Sequence, residues 1–172
     1  MTGQEKHKTW VLTALLSALT CVATMVLVIP SPSGGYMNLG DAVVLLGACL
    51  LGPVYGALAG GAGAALADLL AGFPMYVPAT LIIKAGMGLL AGWLYQKLKK
   101  KTWTVAVCGT AAESIMVVGY WLYDGLLMKS LTGSAVGIPA NLTQAVFGVA
   151  ASALMVSTLR KSKYVCNLFP RL

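Results

Sequence analysis

The chain has 172 residues, 58% of them hydrophobic and only 10% charged, with a formal net charge of +7. Soluble domains carry about 45–50% apolar and about 25% charged residues, so this composition, with a mean hydropathy of +0.81, excludes an ordinary soluble domain. Long weakly charged stretches define an integral membrane protein instead, and bases placed between and beyond them argue against a nucleic-acid groove.

Six apolar segments predict an all-α fold: a six-helix bundle forming a single membrane domain over 1–172. The first, about 9–29, follows a short charged stretch. It is longer than a signal-peptide core and lacks a small-x-small cleavage site, so it reads as a retained span. Within it "ALLSA" sets Ala14 and Ala18 four residues apart. Rows of small residues permit close helix approach, so this pair serves either internal packing or docking of another membrane subunit.

Next comes "SPSGGYMNLGD", from Ser31 to Asp41, with two prolines' worth of punctuation around it, a Gly34–Gly35 pair and an acid at the mouth of the second segment. That segment, about 39–51, spans roughly 20 Å at 1.5 Å per residue, less than the ~30 Å hydrocarbon core. A short second helix is expected, tilted, partly re-entrant or in a thinned bilayer. The third, about 53–71, carries Gly56, Gly60 and Ala64 at four-residue spacing, then Asp68. The fourth, fifth and sixth run over about 79–98, 102–127 and 138–159.

Charge sets the expected orientation. Lys6 and Lys8 precede the first span, Lys97, Lys99, Lys100 and Lys101 lie between the fourth and fifth, and Arg160, Lys161, Lys163 and Arg171 follow the sixth. With six crossings all of these share one side, so the positive-inside rule puts both termini in the cytoplasm. The loops 30–38, 72–78 and 128–137 then face outward, in a bacterial cytoplasmic membrane.

Four of the five acids, Asp41, Asp68, Glu113 and Asp124, lie in or at the ends of spans. A charge at mid-bilayer costs about 2.5–3.5 kcal/mol on insertion scales, so such groups face an interior or a cavity. Glu113, Tyr120 and Asp124 fall on one helical stripe, and Asn141, Gln144, Gly148 and Ser152 on another. With Tyr36, Asn38, Asp41, Asp68, Tyr76, Lys84 and Trp121 they describe an outward-facing pocket suited to a small, flat, hydrogen-bonding ligand. Other readings stand beside this one. Asp41 caps the second helix, Asp68 pairs with Lys84, the aromatics form an interfacial belt, and Glu113 fixes helix packing through a hydroxyl.

Several chemistries lack their residues. His7, the only histidine, is in the polar N-terminal stretch, and Cys21, Cys49, Cys108 and Cys166 form no CxxC pair. This argues against a zinc site, a disulfide framework or a His-dependent nucleophile. No GxxxxGK[ST] is present, so the chain is expected to bind no cofactor and to hydrolyse no ATP itself.

The run "GGYMNLGDAVVLLGACLLGPVYGALAGGAGAALADLL" resembles the substrate-binding S components of energy-coupling factor (ECF) vitamin transporters. The likeness covers essentially the whole chain, including "NLGD" at the second helix and "LLGP" before the third. It is strongest to the subgroup for riboflavin, hydroxymethylpyrimidine or vitamin B6-type substrates. It implies a subunit that captures a small heteroaromatic vitamin or precursor, ordered here as pyridoxine- or hydroxymethylpyrimidine-like, then riboflavin, then a deazapurine. It further implies a transmembrane coupling protein and two ABC ATPases as partners, with ATP used by those partners. The Ala14-x-x-x-Ala18 pair matches the family's coupling-subunit contact, and "SPSGGYMN" matches its lid, with Gly34 and Gly35 as hinge glycines. The competing readings are a self-sufficient secondary carrier, which would show an inverted repeat, and a membrane enzyme, which would need an acid cluster or a nucleophile–base pair.

Overall fold

The computed structural model describes residues 3–98 and 101–172, so Lys99 and Lys100 of the expected basic loop lie outside the described residues. The chain is built from helices: α1 (Gly3–Val26), α2 (Gly40–Leu51), α3 (Pro53–Leu70), α4 (Val77–Lys97), α5 (Thr102–Leu127), the single turn α6 (Leu131–Ser134), α7 (Ile138–Leu159) and the short α8 (Lys163–Leu168). Among the described residues, five helical stretches are long and apolar enough to cross a membrane, the last running from Leu131 through Leu159. The exception among the longer helices is α2, an apolar helix of 12 residues. Two features depart from the expected six helices. The turn α6 and the terminal α8 are extra, and the segment after α1 folds as an antiparallel pair, β1 (Ile29–Pro30) with β2 (Tyr36–Met37).

Lipid reverses the amphipathic logic of a soluble helix. In α1 the buried residues are Thr13, Thr20, Cys21 and Thr24, while Val11, Leu15, Val22 and Val26 are exposed. Each of those threonine hydroxyls donates to a carbonyl one turn back, Thr20 to Leu16 at 2.8 Å and Thr24 to Thr20 at 2.8 Å. Their polarity is thereby satisfied within the helix, and their small size faces the neighbour.

Every residue of α2 is buried. A helix apolar on all sides belongs in the centre of a bundle, and α2 lies against α1, α3, α4 and α7. Its shortness follows from that position: surrounded by protein, it has no need to match the bilayer. Neither a tilt against lipid nor a re-entrant path is required.

The small residues of α3 make this burial possible. A Cβ on Gly56 would lie 2.6 Å from the Ala48 Cα of α2, and one on Gly63 would lie 2.3 Å from the Ser17 carbonyl of α1. A Cβ on Gly88 of α4 would lie 2.8 Å from the Gly56 carbonyl oxygen. Between α2 and α3 the chain reverses at Gly52, whose φ of 85° favours glycine, and Pro53 opens α3 where its missing N–H costs nothing. Arg171 lies against this corner, 2.2 Å from a Cβ built on Gly52, which brings the C-terminal residues to the bundle end opposite the β1–β2 hairpin.

Gly56→Val should therefore overpack the α2–α3 contact, at a cost of about 1–3 kcal/mol. The expected readout is a lower melting temperature of the detergent-solubilised protein. Gly86→Ala, where a Cβ would meet Ile115 at an ordinary 3.7 Å, is expected to melt like the parent.

Candidate ligand pocket

The β1–β2 hairpin folds over one end of the bundle. Its turn is closed by Ser31 N–H donating to the Gly35 carbonyl at 2.8 Å and Gly34 N–H donating to Ser31 at 3.0 Å. Gly34 takes φ 103°, a conformation suited to glycine. Gly35 has no positive φ; Cβ atoms built on Gly34 and Gly35 would instead rest 3.5–3.6 Å from the Tyr76 ring and hydroxyl. The turn is thus packed directly on Tyr76.

Beneath it lies a small polar cavity. Ser31, Ser33, Gly35, Tyr36 and Asn38 line it from the hairpin side. Asp68 of α3, Tyr76 and Thr80 at the start of α4, Tyr120 and Asp124 of α5, and Asn141 of α7 complete the wall. Two tyrosine hydroxyls close on two carboxylates: Tyr36 donates to Asp68 Oδ1 at 2.6 Å and Tyr76 donates to Asp124 Oδ1 at 2.9 Å. Burial, reinforced by the carboxylate each one faces, pushes both phenols above their ordinary range, so both remain donors. Thr80 and Tyr120 share a hydrogen bond of 2.9 Å. Phe73 packs on Tyr36 with ring centroids 4.9 Å apart, and Tyr123 packs on Tyr76 at 5.5 Å.

The residues expected from sequence divide into three groups. Tyr36, Asn38, Asp68, Tyr76, Tyr120, Asp124 and Asn141 border the cavity. Asp41, Lys84, Gln144 and Glu113 do not; they form a buried layer behind it. Lys84 Nζ forms an ion pair with Asp41 Oδ1, with both side chains at most 2% exposed. Gln144 donates to Asp41 Oδ2 at 2.5 Å and accepts from the Asn38 N–H at 2.8 Å. This layer corrects two readings. Lys84 pairs with Asp41 and not with Asp68. Asp41 caps nothing, because the α2 cap position is Leu39 and the Gly40 N–H is met by Asn38 Oδ1 at 2.8 Å. A carboxylate beside a buried ammonium gains more there than from a backbone N–H. Trp121 is the third case. One residue beyond Tyr120 it is rotated about 100° around α5, and its indole donates to the Leu131 carbonyl at 2.9 Å, away from the cavity.

Glu113 lies deeper than the rest of its stripe. A Cβ on Gly148 would sit 2.7 Å from Glu113 Oε1 and 3.0 Å from Asp41 Cβ, so the absence of a side chain at 148 accommodates both acids. Neither Glu113 oxygen has a hydrogen-bond partner among the described residues, so the expected hydroxyl partner is not found. Thr80, Ser31 and Ser33 are cavity residues that the sequence did not single out. Hydroxyls are common in apolar helices and turns, and no periodicity separates these three from the rest.

Comparison with known proteins places this geometry. The family model described as ECF-type riboflavin transporter, S component, matches residues 4–161. The chain belongs to the ECF S components. It is 34% identical over 140 residues to the thiamine precursor transporter HmpT of Lactococcus lactis subsp. cremoris, covering 80% of this chain and 78% of that one. It is 35% identical over 129 residues to an uncharacterised Pyrococcus woesei protein from the 3′ region of gap, covering 74% and 85%. Among solved structures, the S component of a bacterial ECF transporter superposes with a TM-score of 0.72 at 22% identity, over 91% of this chain and 97% of that one. The biotin S component of an ECF-type ABC transporter gives 0.57 at 20% identity, over 91% and 95%. This S component is accordingly an integral, multi-pass protein of the cytoplasmic membrane with an all-α fold. Its relatives differ in the ligand their names carry, so membership in the family leaves the ligand open.

Lys84→Met leaves Asp41 buried without its cation and is expected to cost about 3–5 kcal/mol of stability, seen as a large fall in melting temperature. Asp41→Asn combined with Lys84→Met should melt well above Lys84→Met alone. A double variant no more stable than the single one contradicts the pairing.

Proposed function

We propose that this S component captures a small heteroaromatic vitamin or vitamin precursor from outside the cell and hands it to a transmembrane coupling protein driven by two ABC ATPases. The observation that carries this reading is a polar, tyrosine-lidded cavity at the bundle end opposite nearly all the loop and terminal bases, Lys129 being the exception, in a chain of this family. Counting the short α2 as a crossing gives six. Lys6, Lys8, Lys97, Lys101, Arg160, Lys161, Lys163 and Arg171 then all fall at the end away from the hairpin. The positive-inside rule makes that end cytoplasmic and the cavity outward-facing.

The cavity chemistry favours a flat ring with polar edges. Tyr36, Tyr76 and Tyr120 offer aromatic faces, while Asp68, Asp124, Asn38 and Asn141 offer hydrogen-bond partners. Pyridoxine- or hydroxymethylpyrimidine-like compounds fit this best, ahead of riboflavin and then a deazapurine. The hairpin 29–37 acts as the lid. The cavity's free volume is about 30 Å³, enough for about two waters, so ligand entry requires the hairpin and its Tyr36–Asp68 contact to move.

The partner face is on α1. Ala14 and Ala18 are both exposed, so they do not pack within this bundle, and they offer a small-residue strip to another membrane helix. The chain carries no ATPase motif and works as a transport subunit, with ATP consumed by its partners.

Two outcomes are expected. Ala14→Trp with Ala18→Trp abolishes co-purification with the coupling protein while ligand affinity in calorimetry stays within about twofold; retained assembly argues against this face. Uptake into vesicles requires the coupling protein and both ATPases. Uptake by this chain alone would instead favour a self-sufficient carrier.

A further inference from the structure

The cavity carries an electrostatic bias that bears on the ligand. Asp68 is 4% exposed and borders the cavity. Its Oδ1 accepts from Tyr36, but Oδ2 is buried with no hydrogen-bond partner among the described residues. Thr80 stands beside this carboxylate, but its hydroxyl hydrogen-bonds with Tyr120. Asp124, 3% exposed, supplies a second carboxylate on the same cavity.

No described lining residue is a lysine, arginine or histidine. Lys84 lies behind the Tyr120 ring, 5.4 Å from its centroid, and is committed to Asp41. The two hydroxyls that meet the acids come from Tyr36 in the hairpin and Tyr76 in the α3–α4 connection. Tyr36 belongs to the cover, while Tyr76 is part of the wall on which the hairpin turn rests. When the hairpin lifts, Asp68 loses the Tyr36 hydroxyl and presents both oxygens, beside the Thr80 hydroxyl, to whatever enters. A buried carboxylate left without a donor is costly, so the entering molecule is selected for N–H groups.

We infer that Asp68 recognises an exocyclic amine or a protonated ring nitrogen on the ligand. The site thus takes amino-substituted or cationic nitrogen heteroaromatics and disfavours ring carbonyl isosteres and anionic esters. This rests on the vitamin-binding reading above and adds the chemical class of substrate. Tyr36 is then the internal stand-in for the ligand's donor. The same carboxylate oxygens serve the lid when it is shut on the protein alone and the ligand when it is bound. An anionic ester brought within a few ångströms of Asp68 and Asp124 meets like charge in a low-dielectric site.

The test is isothermal titration of the full-length protein in detergent, purified without added ligand, against two matched pairs, one anionic ester and riboflavin. The first pair is 4-amino-5-hydroxymethyl-2-methylpyrimidine and its 4-oxo counterpart. The second is pyridoxamine and pyridoxine, with pyridoxamine 5′-phosphate as the ester. In at least one pair the amino compound is expected to bind about ten- to a hundredfold more tightly, the range for a hydrogen bond to a charged group. Asp68→Asn should shrink that ratio to within about threefold, and the phosphate should bind more weakly than the free amine. Tyr36→Phe keeps the ring and frees Asp68, so it should bind the amino compound at least as tightly as the parent, which separates recognition by Asp68 from a fold held together by the Tyr36–Asp68 bond. Equal binding within both pairs, or an Asp68→Asn ratio like the parent's, overturns the amine assignment and leaves the vitamin-binding reading standing. Tight binding of riboflavin alone does the same. A folded protein that binds none of these compounds removes both.

Discussion

The Asp41–Lys84 ion pair is the contact on which the polar half of this bundle depends. Both groups are fully enclosed, in a setting where an unpaired charge costs several kcal/mol. The pair joins α2 to α4, and Gln144 extends it to α7 and, through the Asn38 N–H, to the root of the hairpin. Four parts of the chain are thereby held in one register at the floor of the cavity. A hydrophobic contact could bring the same helices together, but it would not fix the orientation of a hydrogen-bonding wall.

That pair can be buried only because α2 is buried, and α2 is buried because α3 is nearly without side chains where the two meet. Gly56 and Gly60 admit Ala48 and Val44 at distances that any Cβ would forbid. In a bilayer, apolar surface gains little by leaving lipid for protein, so close backbone approach and polar pairing must supply the specificity. The two devices act on the same helix: the glycines along its length, the ion pair at its first turn.

Among the described residues the carboxylates of the cavity above this floor are met internally, except at Asp68 Oδ2. Tyr36 of the hairpin and Tyr76 of the wall donate to Asp68 and Asp124, and little space remains between them. Under the proposed function, a lid shut on the protein alone and a lid shut on a ligand use the same carboxylate, Asp68, so the hairpin competes with what it is meant to retain. Such competition sets a lower bound on the ligand's own hydrogen bonding: a molecule that cannot replace the phenols leaves acids unpaired. Discrimination among similar rings follows from the same balance.

Much of this was legible in the residues before any fold was known. Composition and the apolar segments determine a multi-pass, all-α membrane protein, and the run from Gly34 to Leu70 carries the family likeness. The inward direction of the α5 and α7 stripes also follows, because helical periodicity is local and lipid offers polar groups no partner. The sequence could not say which acid meets which donor. Asp41 and Asp68 look equivalent from the chain, yet one is spent on Lys84 and the other faces the cavity with an oxygen to spare. Trp121 reads as a pocket aromatic and turns away, Glu113 reads as bonded to a hydroxyl and has no hydrogen-bond partner among the described residues, and the short second segment reads as strained against the bilayer when it lies at the centre of the bundle. Those outcomes depend on distances between helices remote in sequence, set by glycine contacts at several interfaces at once. The sequence by itself determined where the polar groups lie along each helix; only the tertiary structure decided their partners, because pairing is a property of the space between helices.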